Sequence, residues 1–160
     1  AMHPLRLEEV LGLQPGDIDT ERMEIHIRRA VTHPTRNQPE IKDTKTGGST
    51  RTISLSTAAL SYLCMEGKNF LFGDDKPLSY TQVRRMCNRI KRDFEFEENV
   101  TPIRFRTTVL TDLYEQTGDI KLAQKEAGHT TPAMTLKYYV KGRKTSEDTA
   151  IAIERVYTAS

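Results

Sequence analysis

The chain has 160 residues, 24 of them Lys or Arg and 22 Asp or Glu, for a formal net charge of +2. That length fits one compact domain with a sizeable core, and that charge is too small for bulk electrostatics to identify a polyanionic partner. There is no apolar run long enough for a membrane span or a signal peptide, and no histidine or cysteine cluster at metal-ligand spacing, so a cytoplasmic protein without membrane, metal or cofactor is expected.

In chain order, the pattern predicts a first helix from Leu5 to Leu13, ended by Gln14-Pro15-Gly16. Met23, Ile25, Ile27 and Val31 then keep strand alternation. The polar, proline-containing stretch THPTRNQP reads as a loop within the domain. Ile41 to Lys45 and Arg51 to Leu55 are predicted to form a hairpin around Gly47-Gly48, completing a small three-stranded antiparallel sheet. Ser56 caps a helix containing Leu60, Leu63 and Cys64, and Phe70 to Phe72 form a short extended segment. Both Cys64 and Cys87 fall in apolar helical patterns and read as buried reduced thiols.

Ser79 and Gln82 make a capping box for a basic helix, YTQVRRMCNRIKRDF. Its apolar stripe is Val83, Met86, Cys87, Ile90 and Phe94. Arg84, Arg85, Arg89, Lys91 and Arg92 share the other faces, which fits either a solvated helix surface or a face that tracks phosphates. Further helices are expected at about 103–117, 119–127 and 131–139, with Gly118 and Gly128 as breaks. A basic bridge, Lys141-Gly142-Arg143-Lys144, leads to a last helix, Thr145 to Tyr157, with an apolar stripe of Ala150, Ile153, Val156 and Tyr157.

Four segments carry a resemblance. AGHTTPAMTLKYY, residues 127–139, has a Gly-His turn followed by paired tyrosines; PLRLEEVLGLQPGDID, residues 4–19, sets Glu9 three residues after Arg6. TKTGGSTRTISLS, residues 44–56, has a Lys-Thr-Gly turn before an arginine-led strand; TPIRFRTTVLTDLYEQTGDIKLAQKEAGH, residues 101–129, contains Arg106. Taken in chain order, with the Gly-His and tyrosine segment last, they resemble the motifs of the tyrosine recombinase (phage integrase) family, over nearly the whole chain. The resemblance implies the catalytic-domain fold of that family, α+β and mainly helical. It assigns catalytic roles to Arg6, Lys45, Arg106, His129 and one of Tyr138 and Tyr139. The Thr135-Leu136 pair favours Tyr139. Three residues before the second arginine the family carries histidine, sometimes lysine. Here that residue is Ile103, which neither donates to a phosphate nor moves a proton.

Those residue types suit phosphoryl chemistry. A tyrosine hydroxyl with a pKa near ~10 is a poor nucleophile without cations and a proton acceptor beside it. Guanidinium forks match the charged oxygens of a transferring phosphoryl group, and a lysine among cations can protonate the leaving 5′-oxygen. Taken singly, each residue also has a structural explanation. Arg6 and Glu9 form an ordinary i,i+3 pair, Lys45 is a hairpin lysine, His129 satisfies helix-end carbonyls, and the tyrosines pack.

The resemblance implies a site-specific recombinase that cuts and rejoins double-stranded DNA through a 3′-phosphotyrosyl intermediate without metal. Its counterpart is a DNA-binding module of the same fold that has lost cleavage. Arg84, Arg85, Arg89 and Arg92 are the candidate DNA-binding residues. Residues 1–160 are expected to form a single catalytic domain of a longer integrase, lacking the N-terminal core-binding domain. The tail, residues 145–160, is expected to dock on a neighbouring protomer in a tetramer on DNA, with the isolated chain monomeric.

Overall fold

The computed structural model describes residues 2–35, 38–43, 50–131 and 133–135. Lys45, Tyr138, Tyr139, the basic bridge and the helix expected from Thr145 to Tyr157 lie outside the described residues.

Helix α1 runs Leu7–Gly12, shorter at both ends than its apolar pattern. Arg6 is its N-cap in extended conformation, and the Glu9 carboxylate accepts the Arg6 backbone N–H at 2.9 Å. This satisfies one of the donors that a helix start leaves open. Leu5 and Leu13, just outside the helix, are buried beside it. A 3-10 turn, Pro15–Asp17, leads into β1 (Ile18–Asp19).

The expected strand from Met23 to Val31 is two strands, β2 (Glu24–Ile27) and β3 (Arg29–Thr35), which belong to different sheets. Strands β1, β2 and β5 (Arg51–Ser54) form an antiparallel three-stranded sheet in that order, with Ile25 opposite both Ile18 and Ile53. β3 pairs instead with β4 (Gln38–Asp43), and a register shift falls between Thr32 and Thr35. The THPTRNQP stretch is therefore largely strand, and the hairpin expected between the 41–45 and 51–55 segments is replaced: β4 returns on β3, and β5 on β2. Polar residues mislead there because this hairpin has a solvated face, on which Thr and Gln sit as readily as in a loop.

Helix α2 is a single turn, Thr57–Leu60, capped by Ser56. It stops because Tyr62 and Leu63 take i→i−3 bonds to Ala59 and Leu60, tightening the chain out of the α-helical path. Leu63 and Cys64 thus lie beyond the helix, and Cys64 is exposed instead of buried; Cys87 is buried, and both thiols are free.

Helix α3 spans Tyr80–Asp93 with the Ser79/Gln82 capping box in place. Of its apolar stripe, Val83 and Cys87 are buried, while Met86 and Phe94 are exposed. Helix α4, Pro102–Thr117, starts at Thr101, whose hydroxyl accepts the Arg104 N–H, and ends at left-handed Gly118. Helix α5, Ile120–Ala127, is capped by Asp119 and ends at left-handed Gly128.

Three apolar clusters hold these elements. Leu5, Leu13, Ile25, Ile27, Ile53, Leu55 and Leu71 join the flanks of α1 to the three-stranded sheet. Leu11, Val31, Val83 and Cys87 bind α1, β3 and α3 together. Leu110, Ala123 and Ala127 join α4 to α5. Each fully buried Leu, Ile or Val contributes about 1.5–3 kcal/mol. Small alanines on α5 let it lie close against α4. No helix among the described residues is long and apolar enough to cross a membrane.

Candidate active site

The C-terminal end of α5 is where the site assembles. The last carbonyls of a helix have no intrahelical partner and carry its negative dipole end, so they attract cations. Three guanidinium groups arrive there from three different elements. Arg6, at the start of α1, donates from Nη2 to the Gly128 carbonyl at 3.0 Å. Arg106, on the second turn of α4, donates from Nη2 to the Ala127 carbonyl at 2.8 Å and from Nη1 to the Pro4 carbonyl at 2.6 Å. Arg51, the first residue of β5, reaches the Ala127 carbonyl from its own Nη2 at 3.5 Å.

One carboxylate sits among them. Glu9 accepts Arg6 Nη1 at 2.9 Å and Arg51 Nη1 at 2.8 Å on Oε1, with Arg51 Nη2 at 2.9 Å on Oε2 beside the Arg6 backbone bond. Burial pushes its pKa up, but the hydrogen bonds and charge of Arg51, then those of Arg6, outweigh burial and hold it below the ordinary carboxylate value. Glu126, at the end of α5, has its carboxyl pushed up by burial. Three fixed cations around the ionised Glu9 leave an excess of positive charge.

His129 follows Gly128 and is buried. Its Nε2 lies 2.9 Å from Arg106 Nη2 and its Nδ1 2.9 Å from Thr135 Oγ1. A guanidinium only donates, so Nε2 is the acceptor, and Nδ1 carries the proton and donates to Thr135. Burial first, and then the charges of Arg106, Arg6 and Arg51, push the imidazole pKa down to about 4. The ring is neutral at pH 7, the form that accepts a proton.

Exposure separates the arginines. The Arg6 side chain is 40% exposed, whereas that of Arg51 is 14% exposed and Arg106 is 6% exposed overall. Arg6 is therefore the most accessible of the three.

Of the sequence-predicted site residues, the fold brings Arg6, Arg106 and His129 together. Lys45, Tyr138 and Tyr139 lie outside the described residues. Ile103, on the first turn of α4, is 60% exposed and has no part in the core. Arg84, Arg85, Arg89 and Arg92 are exposed on α3, and Arg92 is paired with Asp93 at 2.8 Å. Two residues of the site were missed, Arg51 and Thr135. Arg51 left a signal, because strand alternation puts it on the same face as buried Ile53 and Leu55, where a charged side chain needs a partner. Thr135 left none.

The fold also forms a group that chain spacing did not suggest. Asp19, Glu24 and His26 bring potential metal-ligating atoms within 4.8 Å of one another on the outer face of the sheet. Asp19 Oδ1 already caps the turn N–H groups of Glu21 and Arg22, and His26 Nδ1 is 3.0 Å from Thr52 Oγ1.

A mainly helical domain that uses a small antiparallel sheet and a helix end to gather two arginines and a histidine has the catalytic-domain architecture of tyrosine recombinases. The chain belongs to the phage integrase family, whose sequence profile matches residues 2–145. A tyrosine recombinase of Agathobacter rectalis is 28% identical over 104 residues, covering 58% of this chain and 34% of that protein. Among solved structures, the Tn1549 transposon integrase in complex with a circular intermediate DNA superposes with a TM-score of 0.77 at 24% identity, over 97% of this chain and 55% of the other. The XerA recombinase superposes with a TM-score of 0.68 at 20% identity, over 90% of this chain and 54% of the other. The chain thus spans about a third of the curated relative and just over half of these structures. At these identities the structural likenesses establish the fold.

Proposed function

We propose that this domain cuts and rejoins double-stranded DNA through a 3′-phosphotyrosyl intermediate. The observation that carries the reading is the convergence of Arg6, Arg106 and neutral His129 on the Gly128 turn, with more cationic than anionic charge. Arg6 and Arg106 clamp the non-bridging oxygens of the scissile phosphate, stabilising charge where it grows in the transition state. The oxygen of Tyr139, or of its neighbour Tyr138, attacks phosphorus as the bond to the 5′-oxygen breaks. His129 accepts the tyrosine proton once a phosphate oxygen takes over the Arg106 donor, and Lys45 gives a proton to the leaving oxygen. Rejoining reverses these steps. One ester replaces another, so the balance requires neither water nor nucleotide hydrolysis.

Related structures support DNA as partner: the Tn1549 integrase and a lambda integrase dimer are both solved bound to DNA. In this reading the exposed arginines of α3 track the DNA backbone, the chain acts as a tetramer in the cytoplasm, and residues 145–160 dock on the neighbouring protomer.

Covalent trapping tests the chemistry. A nicked duplex carrying the recombination site of the element that encodes the chain should yield a stable protein–DNA adduct, lost in Tyr139→Phe and kept in Tyr138→Phe. An adduct that survives in Tyr139→Phe moves the nucleophile to Tyr138. If the wild-type protein binds the duplex and forms no adduct, the domain binds DNA without cleaving it.

A further inference from the structure

Arg51 has a place in the site that stability alone does not explain. Its guanidinium grips both oxygens of Glu9 at 2.8 and 2.9 Å, while its Nε is buried with no hydrogen-bond partner among the described residues. An unpaired buried N–H is costly, and buried ion pairs are often replaceable by apolar side chains without loss of stability. The group nevertheless sits hard against the Gly-His turn. A Cβ placed on Gly128 would lie 2.6 Å from Arg51 Cζ and 2.7 Å from its Nε and Nη1. Gly128 therefore meets two demands, a left-handed φ of 62° and room for this guanidinium.

The consequence runs through Glu9. The carboxylate that Arg51 holds is the one that fixes both the backbone N–H and the Nη1 of Arg6. The other end of the Arg6 fork rests on the Gly128 carbonyl, one residue along from the carbonyl that Arg51 also reaches. Arg51 thus touches both supports of Arg6, the Glu9 carboxylate and the Ala127–Gly128 turn.

We propose that Arg51 is a positioning residue for the cleavage step, holding the Glu9 carboxylate and the Ala127–Gly128 turn in the arrangement that aims Arg6 at the scissile phosphate. The proposal rests on the reading of Arg6 as part of the phosphate clamp. Misplacement of a clamp by about 1 Å costs on the order of 100-fold in rate. Binding is spread over many backbone contacts and is little affected.

The test uses the full chain and the same nicked duplex, comparing Arg51→Met, Arg51→Lys and Arg6→Ala in single-turnover cleavage at saturating DNA, with affinity measured separately. Arg51→Met should cleave roughly 10- to 100-fold more slowly than wild type with affinity nearly unchanged. Arg51→Lys should fall between, because an ammonium holds one Glu9 oxygen but cannot make the bidentate grip. Wild-type cleavage by Arg51→Met overturns the proposal, as does a loss of affinity in proportion to the loss of rate. If Arg51→Met does not fold, Arg51→Lys decides, and a wild-type rate in that variant overturns it. Arg6→Ala separates the two readings. Cleavage surviving in Arg6→Ala removes the clamp itself, whereas cleavage lost in Arg6→Ala and retained in Arg51→Met removes only the role given to Arg51.

Discussion

His129 shows how far a single side chain depends on its surroundings. A histidine beside a Gly turn reads equally as a helix-end donor or as a proton acceptor. In the structure the Arg106 guanidinium fixes which nitrogen holds the proton, and burial first, then the neighbouring guanidinium charges, keep the ring in its neutral form. The pH dependence follows with a definite sign. The folded pKa of about 4 lies below the ordinary 6.5, so between those values the unfolded chain binds more protons than the folded one. Stability is therefore lost as pH falls from 6.5 towards 4. Glu9, whose pKa is lowered from 4.5, contributes stability that is intact above that value and is lost only below it. Acidification from pH 7 to about 5 should thus lower the melting temperature in wild type and do so less in His129→Gln. Imidazole nitrogen resonances give a direct check, since a ring that protonates near 6.5 contradicts a buried imidazole accepting from Arg106.

At the scale of elements, the long helices α3 to α5 were legible, whereas the extent of α2 and the pairing of the strands were not. The Ser79/Gln82 capping box and the glycines at 118 and 128 placed α3, α4 and α5 to within about a residue, because caps and helix-ending glycines are local chemistry written in adjacent positions. β2 pairs with β5 across the intervening β3–β4 hairpin, and alternation states only which face is apolar, not which strand lies alongside. The two helix-ending glycines also separate two effects. Both have left-handed φ, but a Cβ at Gly118 meets nothing within 4 Å, whereas at Gly128 it strikes the Arg51 guanidinium. Gly118→Ala should cost only the backbone term, about 1–2 kcal/mol. Gly128→Ala should cost that and more, because displacing Arg51 weakens a buried pair whose disruption is worth up to about 3–5 kcal/mol. Urea unfolding of the two variants measures the difference, and equal losses would mean that Arg51 yields to the new methyl without strain.

For the whole molecule, the site unites residues as far apart as Arg6 and Gly128, and the order of motifs revealed that union where no single motif did. Arg51 escaped notice because its partners, Glu9 and the end of α5, adjoin it only in the folded chain. The overall charge is similarly uninformative: +2 across 160 residues says little about DNA, but its distribution says more. Arg84, Arg85 and Arg89 are exposed on α3, while Arg92 on the same helix is held by Asp93 through two of its nitrogens, at 2.8 and 2.9 Å. If α3 tracks the backbone, each arginine that neutralises a phosphate releases counterions on binding, and removing it changes the slope of log affinity against log salt by about one. Arg85→Ala and Arg89→Ala should each reduce the slope by about that amount. Arg92→Ala should reduce it less, since its guanidinium is already partly neutralised. Titrations of one duplex at a series of salt concentrations supply the slopes for wild type and for each variant. Unchanged slopes in Arg85→Ala and Arg89→Ala would make this face an ordinary solvated helix surface and move the DNA track elsewhere on the domain.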